Sequence, residues 1–199
     1  MVPLNWTSQM RLQTYRDMSK FVGEEVGSLG VCNFSHRQLL ELLEFCEQEG
    51  LPRPTVLQNE CHPLLTAQPV RDLCHQHGIV FQAYASLGAG ALGLLENKTV
   101  SSVANSHGVT EAQVSLSCEA IVDTLIVSST VQVLLRWALQ HNCAVLPKSS
   151  KPARMKTNLE LWSFKLTEEE MRSLDSLDRS CEGQNTMAGW LREHDPDYY

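Results

Sequence analysis

A small set of side chains in this chain is suited to chemistry or recognition. Asn33 and Gln58 each lie within or at the end of a short apolar run, and each carboxamide carries both an acceptor and a donor. Tyr84 closes another such run. Lys148, Ser149 and Arg154 crowd the start of a predicted helix, where cation, hydroxyl and free amides suit a phosphate, and Asn158 follows a turn later. Each also has an ordinary structural reading. A strand-end carboxamide serves turns and caps, an isolated Tyr84 serves a core, and Lys148 with Arg154 makes a solvated helix start. Cys61-His62 with Cys74, His75 and His77 is the nearest approach to a metal-ligand set, but its spacing fits no standard zinc pattern and predicts no metal site.

The elements that must hold these residues alternate in type. Val26 to Phe34 is a Gly-punctuated apolar run, read as a strand. Ser35 with Gln38 forms a capping box for a helix carrying Leu39, Leu40, Leu43 and Cys46, which Gly50 stops. Thr55 to Glu60 is a second strand, followed by a helix through Val70, Leu73 and Cys74 that Thr66 is expected to cap. Ile79 to Tyr84 is a third strand. Helices are predicted at Thr99 to His107, from Thr110 and over Leu134 to Gln140, and Cys143 to Pro147 is a fourth strand. Short helices open at Ser150 and at Thr167 with Glu170. Ahead of all these, Leu12, Tyr15, Met18, Phe21 and Val22 share one helical face; Trp137 and Trp162 are read as core. Strand–helix alternation predicts right-handed crossovers and a parallel sheet. Four such strands suit either an arc of a closed barrel or a small open α/β sheet, and periodicity does not separate the two.

Ser115 to Val133 interrupts this pattern. It is rich in Val, Ile, Ser and Thr, and joining Gln113-Val114 directly to Leu134 restores an amphipathic helix. The segment reads as an insertion into a single domain spanning 1–199. Its β-branched residues and Ser128-Ser129-Thr130 predict a break in the helix and a bulged excursion.

Composition narrows the class. The chain has 199 residues, 43% of them hydrophobic, and a net charge of −7. No charged run suggests nucleic acid as a partner, and no apolar run suggests a membrane span. Met1 to Met10 is polar and lacks the features of a signal peptide, so the seven cysteines are expected to be reduced, mostly buried thiols of a cytoplasmic protein.

Five segments in order carry a family resemblance. Gly30-Val31-Cys32-Asn33-Phe34 resembles the GVSNF strand end of aldo-keto reductases. Gln58 to Pro63 resembles their Q-x-E-x-H-P segment, and Ala83 to Gly88 their AYSPLG turn. Leu135 to Leu139, and Leu146 to Ser150 followed by Arg154 and Asn158, resemble the segments that grip the dinucleotide. The resemblance covers roughly Arg11 to Arg179. It implies an α/β fold, a partial (β/α)8 TIM-type barrel whose four parallel βα units correspond to the second half. It implies NADP(H) as cofactor, held by Asn33, Gln58, Tyr84, Lys148, Ser149, Arg154 and Asn158. Asn33 and Gln58 would hold the nicotinamide amide and Tyr84 would stack under the ring. Lys148, Ser149 and Arg154 would meet phosphate, and Asn158 the adenine.

Carbonyl reduction is the family's activity, with a small aldehyde or ketone as substrate. The segments bearing its catalytic Asp, Tyr, Lys and His match nothing in this sequence, so no catalytic residue is assigned and His62 is read as structural. Two functions follow as expectations: an NADP-dependent oxidoreductase-family protein lacking catalysis, or a non-catalytic dinucleotide-binding or interaction isoform. Open barrel edges would favour self-association. Three departures each remove a polar contact: Cys32 and Ala85 stand where the family usually has Ser, and Thr157 where it often has an acidic residue.

Overall fold

The computed structural model describes residues 7–90, 92–108 and 119–179, with side-chain surroundings for 7–90, 92–107 and 129–179. Gly30–Cys32 (β1), Val56–Glu60 (β2), Val80–Tyr84 (β3) and Ala144–Val145 (β4) form one sheet of four parallel strands in the order β1-β2-β3-β4. Sequence order equals spatial order, as successive βα units produce. All four expected strands are present. β2 and β3 end at the expected Glu60 and Tyr84, but β1 and β4 stop at Cys32 and Val145, short of Phe34 and Pro147. Asn33 turns left-handed directly after β1, and Pro147 has no N–H to continue a ladder.

The chain divides into two compact units, one formed by the described residues of Met1–Glu60 and Ala67–Gln82, the other by those of Cys61–Thr66 and Ala83–Ser180. The first unit is built on the β1–β2 pair, in register Gly30↔Val56, Val31↔Leu57 and Cys32↔Gln58. A Cβ added at Gly30 would lie 3.0 Å from the Val56 carbonyl oxygen, so a larger residue there would need β2 to give by a few tenths of an ångström. Helices Ser8–Ser19 (α1) and His36–Glu49 (α2) enclose Tyr15, Leu42 and Cys46, with Val31 and Phe34 packed against them. The Tyr15 hydroxyl donates to the Pro52 carbonyl at 2.9 Å, and burial pushes its phenol far above the ordinary range. The expected capping box of α2 is complete at Ser35 and Gln38, and Gly50 closes the helix with φ 64°. The next helix, Gln68–Gln76 (α3), differs from expectation at its start. Its N-cap is Ala67, which makes no side-chain cap, and a proline stands in its first turn. Thr66 instead donates its hydroxyl to the Asp178 carboxylate within the second unit.

In the second unit, Lys98–Gly108 (α4) packs on Glu119–Gln140 (α5) and on Glu168–Asp175 (α7), and Pro152–Leu159 (α6) packs on α5. Asn97 opens α4, its side-chain oxygen accepting from the Thr99 amide at 2.9 Å and the Val100 amide at 3.3 Å. Val100, Val103, Ala104, Leu134, Leu135 and Trp137 are buried. Trp137 donates to Asp175 at 2.7 Å, and His141 shares the same oxygen at 2.8 Å. Trp162 is not core: it is 75% exposed, with the Arg136 guanidinium 5.3 Å from its ring centre.

The expected break in the helix is not found where residues are described. α5 runs unbroken from Glu119 through Ser128-Ser129-Thr130 and Val133 into the Leu134 to Gln140 stretch. The expected start at Thr110 and Ser115 to Cys118 lie outside the described residues. Thr130 and Val133 are buried alongside Leu134 and Leu135. Helix propensities differ by only about 0.7 kcal/mol per ordinary residue, whereas burying one such side chain is worth about 1.5–3 kcal/mol, so packing overrides the local preference.

Glu170 ties α4 to α7. It completes the Thr167 capping box through the Thr167 amide at 2.8 Å, accepts from Ser106 at 2.9 Å and lies 2.8 Å from His107 Nε2. Burial pushes its carboxyl upward, but hydrogen bonds from His107, the Thr167 amide and Ser106 outweigh that and bring it to about 2. A depressed carboxyl stabilises the fold above its unfolded pKa and loses that contribution as pH falls towards the folded value. Glu170→Gln is therefore expected to lower Tm at pH 7. The gap from the parent should narrow as pH drops from about 4.5 towards 2. Thermal melts across that range check it; a gap constant with pH would count against the charged clip.

Candidate functional site

β1 and β2 end side by side, and two carboxamides mark the place. Asn33 follows β1 with φ 59°, a left-handed conformation that Asn tolerates better than most residues, and its amide donates to the Gln58 carbonyl at 3.0 Å. The turn is held by Asn59, which is 5% exposed. Its side chain accepts from the Phe34 amide at 3.2 Å and donates to the Phe34 carbonyl at 2.7 Å. One buried carboxamide thus satisfies both backbone groups of the residue leaving the turn, and it lies on the face of β2 opposite Gln58.

Gln58 is half-buried on the other face. Its Nε2 donates to Gln82 Oε1 at 2.7 Å, and its Oε1 accepts from the Cys32 thiol at 3.8 Å. Desolvation pushes the Cys32 thiol above its ordinary range, which favours the S–H form that donates here. Tyr84 ends β3 and is half-buried; its carbonyl accepts from the Cys61 amide at 3.2 Å. The turn beyond it places Ala85 at φ 52° and is closed by the Gly88 amide on the Ala85 carbonyl at 2.7 Å.

The remaining predicted residues lie in one stretch of the second unit. Lys148 and Arg154 are exposed, while Ser149 and Asn158 are half-buried. The Ser149 hydroxyl accepts from the Lys151 amide at 3.2 Å. No side chain caps α6 at Lys151, so its first turn offers backbone N–H groups at the same place as the two cations. The other end of α6 is held by Gln132, whose side chain donates to the Thr157 and Glu160 carbonyls at 3.1 and 3.3 Å. His62, read as structural, is fully buried and pairs with Leu65 in a two-bond backbone bridge.

Asn33 and Gln58 are thus brought together in the first unit; Lys148, Ser149, Arg154 and Asn158 lie in the second, as does Tyr84. Sequence reading missed Asn59, Gln82 and Gln132. Asn59 and Gln82 carried a signal, each being a polar residue one or two places from a singled-out position in an apolar strand.

Comparison with known proteins decides the family. The aldo/keto reductase family model matches residues 11–179. The chain belongs to the aldo/keto reductase family. It is 33% identical over 177 residues to a 9,11-endoperoxide prostaglandin H2 reductase of Trypanosoma cruzi, covering 87% of this chain and 54% of that protein. It is 32% identical to aldose reductase B of Dictyostelium discoideum, covering 87% of this chain and 50% of that protein. Among solved structures it is similar to an aldo-keto reductase enzyme from a Medee basin deep-sea metagenome library. There the TM-score is 0.69 and the identity 29%, over 88% of this chain and 57% of that one. It is also similar to the aldose reductase from Schistosoma japonicum, with TM-score 0.66 and 30% identity over 84% and 47% of the two chains. The chain spans about half the length of the relatives it matches, and its four strands correspond to about half of their barrel.

Within this aldo-keto reductase chain, the Asn59 clamp is the support for Asn33. Asn59→Ala leaves both backbone groups of Phe34 unpaired in a buried place and is expected to cost about 1–3 kcal/mol. Asn33→Gly keeps a residue that accepts positive φ and leaves the Phe34 clamp in place, so it is expected to cost less than Asn59→Ala. Urea denaturation of the two variants checks the contrast, which equal losses would contradict.

Proposed function

We propose that this chain is a nicotinamide-dinucleotide-binding part of an aldo-keto reductase, with NADP(H) as its cofactor and small aldehydes or ketones as the substrates of the activity it serves. The observation that carries the reading is the juxtaposition of Asn33 and Gln58 at adjoining strands, with the Asn33 amide on the Gln58 carbonyl at 3.0 Å. Each unit offers donors whose chemistry suits a part of the group. Asn33 and Gln58 offer carboxamides to the nicotinamide amide, and Tyr84 offers a ring face. Lys148, Ser149 and Arg154 offer cations and a hydroxyl beside an uncapped helix start, and Asn158 offers a carboxamide to the adenine. NAD(P)H dependence is named for a relative, a probable D-xylose reductase of Arthroderma otae, 33% identical to this chain over 186 residues.

A dinucleotide held by these residues would supply hydride-donor chemistry, and carbonyl reduction would also need a positioned proton donor. Tyr15 is not one, because its hydroxyl is committed to Pro52 inside the core. With the family's catalytic segments unmatched in this sequence, we assign this chain cofactor binding and no carbonyl reduction by itself, as a non-catalytic dinucleotide-binding form. Self-association is supported by the sheet edges at β1 and β4, each with one bonded neighbour among the described strands. Light scattering on the purified chain checks this; a strictly monomeric species would sink it.

NADPH is expected to bind more tightly than NADH, because a charge-assisted bond to a 2′-phosphate contributes about 1.5–3 kcal/mol. Replacing both Lys148 and Arg154 with Ala should erase the preference. Titration calorimetry with the two cofactors measures it, and equal affinities in the unmodified chain would refute it. Turnover of NADPH with a reactive aldehyde should stay at background; activity that survives removal of host reductases would restore catalysis to this chain.

A further inference from the structure

Cys32, Gln58 and Gln82 stand on three successive strands, on the same face of the sheet and in direct contact. The Cys32 thiol donates to Gln58 Oε1 at 3.8 Å, and Gln58 Nε2 donates to Gln82 Oε1 at 2.7 Å. The bonds therefore run in one sense, from Cys32 through Gln58 to Gln82. A carboxamide has two N–H groups and two oxygen lone pairs. Gln58 has spent one of each within the sheet, which leaves one N–H and one lone pair for a ligand. Gln82, half-buried, is the stronger of the two anchors, because a 2.7 Å amide–amide bond outweighs a thiol bond at 3.8 Å.

We infer that Gln82 is a positioning residue that fixes the orientation of the Gln58 carboxamide, so that Gln58 presents an oxygen acceptor to the amide N–H of a bound nicotinamide. This rests on the cofactor reading and adds a residue that never touches the cofactor. With Gln82 accepting from Nε2, rotation of the Gln58 amide would set two oxygens against each other and bring its NH2 to the Cys32 thiol. The Cys32 S–H, a weak donor, meets Gln58 Oε1 at 3.8 Å and favours the same orientation. The held orientation favours a ring substituent that can donate. The nicotinamide carboxamide donates, whereas the acetyl group of the 3-acetylpyridine analogue only accepts and would leave Gln58 Oε1 short of a partner.

The test is the affinity of the purified chain for three probes: NADP+, its 3-acetylpyridine analogue, and adenosine 2′,5′-bisphosphate, which has no nicotinamide. The parent should prefer NADP+ over the analogue by about two- to tenfold, the range of one net hydrogen bond. Gln82→Met, similar in shape but without a strong acceptor, should abolish that preference. Gln82→Glu, whose carboxylate still accepts from Gln58 Nε2, should keep it. Unchanged binding of the bisphosphate by the variants reports that they are folded. Should Gln82→Met fail that check, Gln82→Lys takes its place: its ammonium only donates, so it should turn the Gln58 oxygen away from the ligand and remove the preference. A preference that survives in Gln82→Met or Gln82→Lys overturns the inference. Equal affinity of the parent for NADP+ and the analogue also overturns it, while the cofactor reading stands. Failure of the parent to bind any of the three probes overturns the cofactor reading and the inference together.

Discussion

The carboxamide of Asn59 is the constraint on which the first unit depends. A parallel strand that ends must leave its sheet, and the chain after β1 does so through a left-handed residue at Asn33. That conformation costs about 1–2 kcal/mol for an L-residue unless something holds it. Asn59 holds it by satisfying both the amide and the carbonyl of Phe34 from within the core. The consequences propagate in both directions. The Phe34 side chain is set against Tyr15 and Leu42, and Ser35 arrives in position to cap α2. On the solvent side, the Asn33 backbone is fastened to β2 beside Gln58.

Polar side chains play the same part elsewhere. Gln132 fastens the end of α6 to α5, and Glu170 joins α4 to α7 through His107 and Ser106 while closing its own helix cap. Asp175 gathers Trp137 and His141 at the end of α5. In each case one side chain joins groups from separate elements, and for the buried Trp137 it supplies a partner whose loss would cost more than the net value of the bond. The α6 helix that carries Arg154 is thus held at its far end by Gln132 of α5.

Much of this was legible in the residues themselves. The βα alternation predicted four parallel strands, and the Ser35–Gln38 and Thr167–Glu170 capping boxes formed as their spacing requires. Asn33 and Gln58 were singled out by residue type, and the structure sets them beside one another at adjoining strands. Where reading failed, a distant residue intervened. Thr66 has the chemistry of a cap, but Asp178 takes its hydroxyl. Trp162 has the composition of a core residue, yet it lies exposed beside Arg136. The β-branched stretch through Val133 weakly disfavours a helix, but the buried neighbours of Thr130 and Val133 make one.

By itself, the sequence determined those features governed by local rules: strand and helix alternation, caps at fixed spacing, glycine where a helix must stop, and a family match across residues 11–179. These depend on contacts between residues a few positions apart, so spacing encodes them. The tertiary structure alone decided that the Asn59 carboxamide is buried against Phe34 and the Gln58 carboxamide only half-buried on the other face of the strand. It also decided that Gln58 is gripped by Gln82 and Cys32, and that a weak helix former becomes helical. Such outcomes depend on partners 24 to 112 residues away, as in the Gln58–Gln82 and Thr66–Asp178 bonds. Their free energies come from desolvation and packing, which no local spacing records.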